Sequence, residues 1–260
     1  MPEGIEVEIY RKAADQVVGQ TIAATESPDD WFLKEGITVT HLEDAVSGQY
    51  VQATRRIGKL LLIDLSNQIS IGFRFGMTGR LLIDGATPID ELEYGPKSTK
   101  DKWIRFGLTF EDGRQLQIHD PRRLGGVLLN PDLSKLGADL FSITLEQLRH
   151  RVLTGKVPLK ARLLDQKRIA GVGNLICDET LWQAGIRPDR PAGSLTPNEE
   201  FDFHAVLLTT VQRLHEQGGS HTGELQSERH RAGQCPLDGQ QLSREKIGGR
   251  TTYYCKVHQK

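Results

Sequence analysis

The pattern of apolar residues changes once along this chain, near residue 130, and that change limits what the chain can fold into. From residue 21 to about 130, short runs such as KLLLIDL, ISIGFRF and RQLQIHD alternate with turn residues such as EDGR and IDGA. Many short strands separated by turns predict a sandwich or barrel. Beyond this point the apolar residues recur at helical spacing, as in TLEQLRHRVL, LKARLLDQKRI and NEEFDFHAVLLTTVQRLHEQ. We therefore predict an α+β multidomain protein.

Two further segments complete the layout. Apolar residues recur at helical spacing from Ile5 to Val17, and Gly19 follows them, so a helix precedes the strands. The last helical run follows Thr196 and Asn198, either of which is a candidate N-cap. The tail has a cysteine near each end and strand-like RTTYYC between them. We predict three domains: residues 1–131 with the helix and a β-sandwich, 132–222 helical, and 223–260 a C-terminal zinc-finger-like β-hairpin.

Composition excludes some classes of protein and leaves one question open. No run of the 260 residues is apolar over the length that a bilayer requires, and the acidic start does not resemble an export signal. Three cysteines make no disulfide framework, so we expect a cytoplasmic protein. The net charge is -1, but residues 1–54 hold 3 Lys/Arg against 10 Asp/Glu, whereas residues 222–260 hold 7 against 4. Because a local basic surface sets DNA affinity, the total does not exclude a nucleic-acid partner.

The tail carries two pairs of metal-binding residue types with equal spacing. Cys235 and Asp238 form one pair, and Cys255 and His258 form the other, each with two residues between. Two such pairs joined by a hairpin-length segment are typical of a zinc ribbon or finger. We predict one structural Zn²⁺ bound by these four residues. The alternative is a metal-free hairpin that keeps two cysteines.

Three other stretches are candidates for contacts with nucleic acid. AGVGN breaks a helical run before a second helix that begins near Asn174, where free N–H groups could bind a phosphate. The alternative is that these glycines only let two helices meet. The loops FRFGMTGR and HDPRRLGG each combine an apolar tip with arginine, as in Met77 and in Arg122 with Leu124. Such a pair can wedge into a base stack, although ordinary loop packing has the same pattern.

The chain terminus itself raises a chemical question. MPEGIEVE would leave a free prolyl amine on Pro2, close to Glu3 and Glu6, once Met1 is removed. If Met1 stays, the Pro2 nitrogen is an amide and cannot act as a nucleophile. The stretch is therefore either an ordinary acidic helix start or a reactive terminus.

Taken in order, these motifs resemble the bacterial formamidopyrimidine-DNA glycosylase / endonuclease VIII family. The resemblance covers nearly the whole chain and rests on MPEGIEVE, RRIGK, FGMTG, DPRRLGG, LLDQKRIAGVGN, CDE followed by AGIRPDRPA, and RTTYYC. It implies that the helical domain is a helix–two-turns–helix domain. It also implies a DNA glycosylase and abasic-site lyase of base excision repair, which excises oxidised bases from duplex DNA.

The resemblance implies roles for the residues that match the family motifs. Pro2 would attack C1′ of the damaged nucleoside, and the resulting imine would lead to β/δ-elimination. Glu3 would act as acid and base, and Glu6 would support the terminus. Lys59, which by itself could be an ordinary solvated edge residue, and Arg250 of the finger would contact the phosphate and assist catalysis. The implied DNA contacts are Arg74, Met77, Arg122, Leu124, Lys156, Lys160 and Asn174.

Departures from the family pattern leave the lesion class open. Leu124 replaces a residue that is usually aromatic, and the finger lacks two of the usual four cysteines. The segment from Gly219 to Cys235 has little room for a long lesion-capping loop, which favours the endonuclease VIII branch. Met77 together with DPRR favours the formamidopyrimidine branch.

We expect a monomer that acts on damaged double-stranded DNA in the cytoplasm, associated with the nucleoid, with no membrane partner and no redox cofactor. Two alternatives compete with this function. One is a catalytically weak protein that binds lesions or abasic sites. The other is a zinc-ribbon and helix–turn–helix module for RNA or protein contacts, which leaves the N-terminal pattern unexplained.

Overall fold

The computed structural model describes residues 2–96 and 98–260. The chain forms two compact units, and neither is one continuous stretch of sequence. The first holds Pro2 and Glu6–Ser134, and the second holds Glu3–Ile5 and Lys135–Lys260. The start of the N-terminal helix therefore belongs to the unit that the C-terminal half of the chain builds.

Eight strands form the body of the first unit: β1 (Ile22–Glu26), β2 (Val51–Ile57), β3 (Leu60–Leu65), β4 (Ser70–Arg74), β5 (Arg80–Ile83), β6 (Ile104–Phe110), β7 (Gln115–His119) and β8 (Gly126–Leu129). They make two four-stranded antiparallel sheets, in the orders β1-β6-β7-β5 and β2-β3-β4-β8. Two helices accompany them: α1 (Gly4–Ala14) and α2 (Val39–Val46).

The two sheets share one hydrophobic core. Phe73 of β4 and Phe106 of β6 come from different sheets, and their ring centroids lie 5.6 Å apart. Val7 and Tyr10 of α1 are fully buried in the same cluster. The predicted N-terminal helix and β-sandwich are thus confirmed, and the apolar positions of α1 point into the sandwich core.

The second unit is mainly helical. Its helices are α3 (Leu145–Arg151), α4 (Leu159–Leu163), α5 (Asn174–Gln183) and α6 (Pro197–Glu216). Its strands are β9 (Ala138–Asp139), which pairs in parallel with β10 (Ile169–Ala170), and β11 (Ser243–Ile247), which pairs with β12 (Arg250–Tyr254) in an antiparallel hairpin. Of the two candidate caps for α6, Thr196 is the N-cap: its hydroxyl accepts a hydrogen bond from the Glu199 N–H, and the Glu199 carboxylate accepts one from the Thr196 N–H. This reciprocal pair is a capping box.

One predicted helical run is much shorter than its sequence pattern. LKARLLDQKRI has helical spacing, but α4 ends at Leu163. Asp165 accepts a bond from the Lys167 N–H, and the Gln166 side chain bonds the Gly171 N–H and the Val172 carbonyl. These side-chain bonds to the backbone compete with helix formation, so the chain turns here instead.

The C-terminal hairpin packs on the helices of its own unit. Cys235, Leu242 and Cys255 are buried in one cluster with Trp182 of α5 and with Leu225. The fold class predicted from sequence, a β-sandwich with an N-terminal helix, a helical domain and a C-terminal hairpin, is confirmed. Among the described residues, no helix is long and apolar enough to cross a membrane.

Candidate functional site

Several predicted site residues lie at one end of the sheet β2-β3-β4-β8. The register there pairs Ile57 with Leu60, Leu60 with Arg74, and Arg74 with Gly126. Three connections leave the sheet along this line: the turn after Ile57, the loop after Arg74, and the loop that ends at Gly126. The antiparallel pairing thus brings together segments that are far apart in sequence.

Lys59 occupies the two-residue turn between β2 and β3. Gly58 precedes it with φ of +58°, which suits glycine at the first position of such a turn. The Arg56 guanidinium donates to the Gly58 carbonyl at 3.0 Å and to the Glu8 carboxylate of α1 at 3.0 Å. The turn is therefore braced against α1, and the half-buried Lys59 side chain projects from a fixed base.

The loops that carry Met77 and Arg122 touch each other through their backbones. A Cβ on Gly76 would lie 2.5 Å from the Leu124 carbonyl carbon, and one on Gly125 would lie 2.3 Å from the Arg74 carbonyl oxygen. Only glycine fits at both places. Met77 is half-buried, whereas Arg122 and Leu124 are exposed. The structure thus brings these three predicted gap-filling residues to one surface.

Asp120 holds both loops, and sequence reasoning missed it. Its carboxylate is fully buried. One oxygen accepts from the Thr78 hydroxyl at 2.6 Å and from the Arg122 N–H at 3.1 Å, and the other accepts from the N–H groups of Leu124 and Gly125 at 2.8 Å each. The signal in the sequence was an Asp directly before Pro, since Asp side chains often bind the backbone of the turn that follows.

Glu6 lies on the face of α1 that packs toward the Met77 loop. It is 1% exposed, and Tyr10, one turn later, stacks on Phe75 at a centroid distance of 4.6 Å. Burial raises the pKa of Tyr10, and the nearby charges of Arg80 and Glu6 act on it in opposite directions. Arg74 is exposed, and its guanidinium lies 3.9 Å from the Glu35 carboxylate.

In the second unit, Glu3 is bound to the start of α5. Its two carboxylate oxygens accept bonds from the N–H groups of Leu175 at 2.9 Å and Ile176 at 3.1 Å, and the side chain is fully buried. The Gly4 N–H donates to the Gly171 carbonyl at 2.9 Å. A carboxylate at a helix N-terminus interacts favourably with the helix dipole and with unpaired N–H groups.

The glycines of AGVGN lie against a third partner, which neither interpretation of this stretch includes. A Cβ on Gly173 would lie 2.2 Å from the Glu3 carboxyl carbon, and one on Gly4 would lie 3.0 Å from the Gly171 Cα. The glycines therefore admit the N-terminal segment. The N–H groups of Leu175 and Ile176, which could have bound a phosphate, bind the Glu3 carboxylate instead.

Asn174 and Arg250 lie close together through a bond to the finger. The Asn174 amide donates to the Thr251 carbonyl at 3.1 Å, directly after Arg250. Arg250 is exposed and begins β12 after the turn Gly248–Gly249, where φ is +59° and +76°. Both positive values fit the tight turn of a twisted hairpin. Gly248 packs on Ala161 of α4: a Cβ added to Gly248 would lie 3.0 Å from the Ala161 Cα.

The two lysines predicted to contact phosphates differ sharply. Lys156 is exposed in the loop before α4. Lys160 is fully buried, and its ammonium pairs with the Asp178 carboxylate, which also accepts from Arg229. A buried ammonium bound to a carboxylate has no face left for a phosphate, so the assignment of Lys160 to DNA contact is wrong. It holds α4 against α5.

Three of the four predicted zinc ligands converge. One ligand atom each from Cys235, Asp238 and Cys255 lie within 4.8 Å of one another. The Trp182 indole N–H lies 3.4 Å from the Cys235 sulfur, and the His258 N–H lies 3.3 Å from the Cys255 sulfur. A hydrogen bond from the Gln240 N–H holds the pKa of Asp238 below its usual value. Two thiols and a carboxylate suit Zn²⁺.

His258, the fourth predicted ligand, is not part of that group in the described part of the chain. Its Nε2 lies 2.7 Å from the Trp182 carbonyl oxygen. Metal-bound histidines commonly use one ring nitrogen for the metal and give the other to a carbonyl or carboxylate. Nδ1 is therefore the atom that remains for a metal.

The reactive terminus stays a prediction. Pro2 is buried at the start of the chain, directly before the bound Glu3. Removal of Met1, on which the prediction depends, concerns a residue outside the described ones.

Known proteins are similar to this chain in sequence and in fold. Residues 1–127 match the family model of the formamidopyrimidine-DNA glycosylase N-terminal domain, and residues 136–224 match that of the formamidopyrimidine-DNA glycosylase H2TH domain. A formamidopyrimidine-DNA glycosylase of Carboxydothermus hydrogenoformans is 32% identical over 277 residues, which cover all of both chains. One of Herpetosiphon aurantiacus is 31% identical over 285 residues, also with full coverage of both.

Solved structures agree in fold. The Lactococcus lactis Fpg (MutM) protein, in complex with DNA that contains N7-benzyl-Fapy-dG, superposes with a TM-score of 0.83 at 23% identity over the full length of both chains. A MutM protein in complex with DNA that contains carbocyclic 8-oxo-G gives 0.83 at 24% identity, again over both full chains.

Proposed function

The chain belongs to the formamidopyrimidine-DNA glycosylase family, and on that premise we propose that Pro2 is the nucleophile of its reaction. The protein is a DNA-repair glycosylase and abasic-site lyase that acts on damaged DNA. A secondary amine at the chain terminus suits both steps, because it can displace a base at C1′ and then hold the sugar as an iminium. An α-amino group is also less basic than a lysine side chain, so more of it is unprotonated near neutral pH.

One observation carries the proposal: the segment directly after Pro2 is fixed. Chain termini usually fray. Here the Glu3 carboxylate accepts two backbone hydrogen bonds from α5, and the Gly4 N–H is bonded to Gly171. The residue before Glu3 is thereby held in place, which a terminus without a function would not require.

The steps follow from the groups at this terminus. The Pro2 nitrogen attacks C1′, the damaged base departs with a proton, and the sugar ring opens to an iminium. Glu3 supplies and removes protons during base departure and ring opening. Loss of the C2′ proton then expels the 3′ phosphate by β-elimination, and a second elimination can expel the 5′ phosphate. Glu6, buried one turn further along α1, supports the terminus.

DNA contacts are proposed for residues of each unit separately. In the first unit, Lys59 and Arg74 contact phosphates, while Met77, Arg122 and Leu124 fill the gap left by the extruded nucleotide. In the second, Arg250 and Asn174, linked through Thr251, grip the phosphate beside that nucleotide, and Lys156 contacts another. We propose that the enzyme excises oxidised bases. Its motifs share features with both the formamidopyrimidine and the endonuclease VIII branches of the family.

We include one structural zinc ion in the proposal, with Cys235, Asp238, Cys255 and Nδ1 of His258 as ligands. When bound, the ion would crosslink the two turns of the finger and so fix the hairpin that carries Arg250. Its role is structural, and the reaction requires no redox cofactor. The enzyme works as a monomer on duplex DNA, in the cytoplasm and associated with the nucleoid.

The test is borohydride trapping on a duplex with one abasic site, together with intact-mass measurement. We expect a covalent adduct that maps to Pro2 in protein that lacks Met1. Pro2→Gly should show reduced base excision, although its primary terminal amine can still form an imine with an abasic site. Glu3→Gln should lose base excision by at least about 100-fold, the scale of general acid–base catalysis, while it still binds DNA. Glu43→Gln, at an exposed position on α2, is the matched control and should act as the wild type.

Two results would contradict the proposal. Wild-type excision in Glu3→Gln would remove Glu3 from the chemistry. An absent adduct in protein shown to lack Met1, with tight binding to the same duplex, would instead favour a protein that binds abasic sites without turnover. Because Glu3 also caps α5, the melting temperature of each variant separates lost chemistry from lost folding.

A further inference from the structure

Trp31 is a large aromatic residue that the fold keeps at the surface. Its side chain is 66% exposed, whereas the next residue, Phe32, is fully buried in the sandwich core. Both lie in the short 3₁₀ turn Asp30–Phe32, which points successive side chains in different directions. Burial of an indole side chain would lower the free energy of the folded protein, and Trp31 does not gain this stabilisation. Its exposed position therefore suggests a role at the surface.

The exposure is not the result of a loose loop. The Arg123 guanidinium donates a hydrogen bond of 2.6 Å to Oδ1 of Asp29, and its Nε lies 2.6 Å from Oδ2 in an ion pair. This contact ties the turn to the loop that Asp120 organises. Leu33 forms a β-bridge with Val127, and the Lys34 N–H donates to the Val127 carbonyl at 2.9 Å. Trp31 is therefore held on a braced turn.

The surface around the indole is concave, and cationic side chains lie beside it. A shallow cavity of about 490 Å³ is lined by Trp31, Arg122, Arg123 and Leu124. The Lys34 ammonium lies 4.6 Å from the centre of the indole ring. Arg123 is neutralised by Asp29, so Lys34 and Arg122 supply the positive charge. An aromatic face among cations is the usual platform for a nucleobase beside its phosphates.

We propose that the Trp31 indole stacks on the unpaired nucleotide of the undamaged strand, opposite the lesion. This inference rests on the proposed function, in which Arg122 and Leu124 fill the gap left by the extruded nucleotide. The same two side chains line the cavity beside Trp31. The nucleotide opposite the gap has lost its pairing partner, and a wedge residue reduces its stacking, so its face is the one that gains most from a new aromatic neighbour.

The experiment uses a duplex with a stable tetrahydrofuran abasic analogue and 2-aminopurine either opposite it or several base pairs away. In the wild-type complex we expect the opposite probe to be quenched by stacking. In Trp31→Ala the opposite probe should become brighter, the distant probe should not change, and Kd should rise about 10-fold, or about 1.4 kcal/mol at 25 °C. Trp31→Phe keeps an aromatic face and should restore most of both signals. Phe201→Ala, which removes another exposed aromatic side chain, on α6, is the matched control.

The dependence on salt separates stacking from charge. Loss of a stacked base leaves the slope of log K against log salt unchanged, whereas loss of one phosphate contact, expected for Lys59→Ala, lowers the slope by about 1. A Trp31→Ala variant that loses affinity only through a smaller slope would overturn the stacking inference. So would unchanged affinity and probe brightness.

Failure of this inference is distinguishable from failure of the proposed function. Borohydride trapping of abasic DNA by the wild type reports on Pro2 and does not depend on Trp31. If the wild type is trapped on abasic DNA but Trp31→Ala changes neither the Kd nor the probe brightness, only the stacking inference is overturned. Binding without trapping, but with loss of quenching in Trp31→Ala, supports the stacking and overturns the chemistry.

Discussion

At the scale of single residues, Asp120 anchors two loops of the proposed DNA surface from inside the fold. Its carboxylate accepts four hydrogen bonds, from Thr78, Arg122, Leu124 and Gly125. We expect Asp120→Asn to lose about 1–3 kcal/mol of unfolding free energy, because an amide N–H₂ would face buried N–H donors. Affinity for abasic duplex should fall as well, since the Arg122 loop and the Met77 loop lose their common anchor.

Urea unfolding and DNA titration measure these two effects. Asp44→Asn, at an exposed position on α2 of the same unit, is the matched control and should change neither. Wild-type stability in Asp120→Asn would show that the four bonds contribute little.

Residue types predict chemistry well and burial poorly. Cys235, Asp238 and Cys255 could be grouped from their spacing alone, because a tight turn fixes how far apart its ends lie. Lys160 could not be placed correctly, since the sequence does not say which carboxylate a lysine will meet inside the fold. Its partner, Asp178, lies 18 residues away on another helix. Asp120 was overlooked for the same reason: a buried acceptor is defined by the N–H groups around it.

At the scale of elements, the start of α5 depends on the absence of a side chain at Gly173. Its φ of -120° is accessible to any residue, so an alanine there would not strain the backbone. It would instead collide with the Glu3 carboxylate, because the added Cβ lies 2.2 Å from its carbon. We expect Gly173→Ala to lower stability by about 1–3 kcal/mol, the usual range for overpacking, and to reduce excision.

A double-mutant cycle on stability tests that cause. In Glu3→Ala the colliding carboxylate is absent, so adding Gly173→Ala should lower the unfolding free energy much less than it does in the wild type. Equal losses in both backgrounds would mean that the alanine acts on something other than Glu3.

Turn chemistry explains which elements the sequence could predict. The α6 cap at Thr196, one of the two candidates from the sequence, follows from a local rule and is present. The early end of α4 was not predicted, because helical spacing continues past it. There the Gln166 side chain bonds Gly171 and Val172, a competition that apolar periodicity does not register.

At the scale of the whole molecule, the chain forms two compact units, and the change of pattern near residue 130 lies close to the residues where one gives way to the other. Glu6–Ser134 builds the β-sandwich, and Lys135–Lys260 builds the helical unit with the hairpin. The pattern could not predict that Glu3–Ile5 belongs to the helical unit. That membership depends on a close approach at Gly171 and Gly173, which is a feature of the tertiary structure.

Removal of zinc from the finger should affect both the stability of the second unit and the excision reaction. Cys235 and Cys255 are at once proposed zinc ligands and members of the buried cluster around Trp182. Chelation should therefore loosen this cluster, displace Arg250 and abolish excision, while the β-sandwich stays folded. Structural zinc sites typically contribute about 10 kcal/mol or more in isolated fingers, so the loss should be visible in unfolding experiments.

Metal analysis should find one zinc per chain in the wild type, less in Asp238→Ala, and as much in Asp238→Cys, which restores a stronger ligand. Burial raises the pKa of the Cys255 thiol, so zinc must displace a proton there. Zinc retention should consequently fall as the pH falls, and more steeply than for a site of carboxylates alone. A wild-type protein purified without metal, with full excision in the presence of chelator, would show that the hairpin holds Arg250 by packing alone.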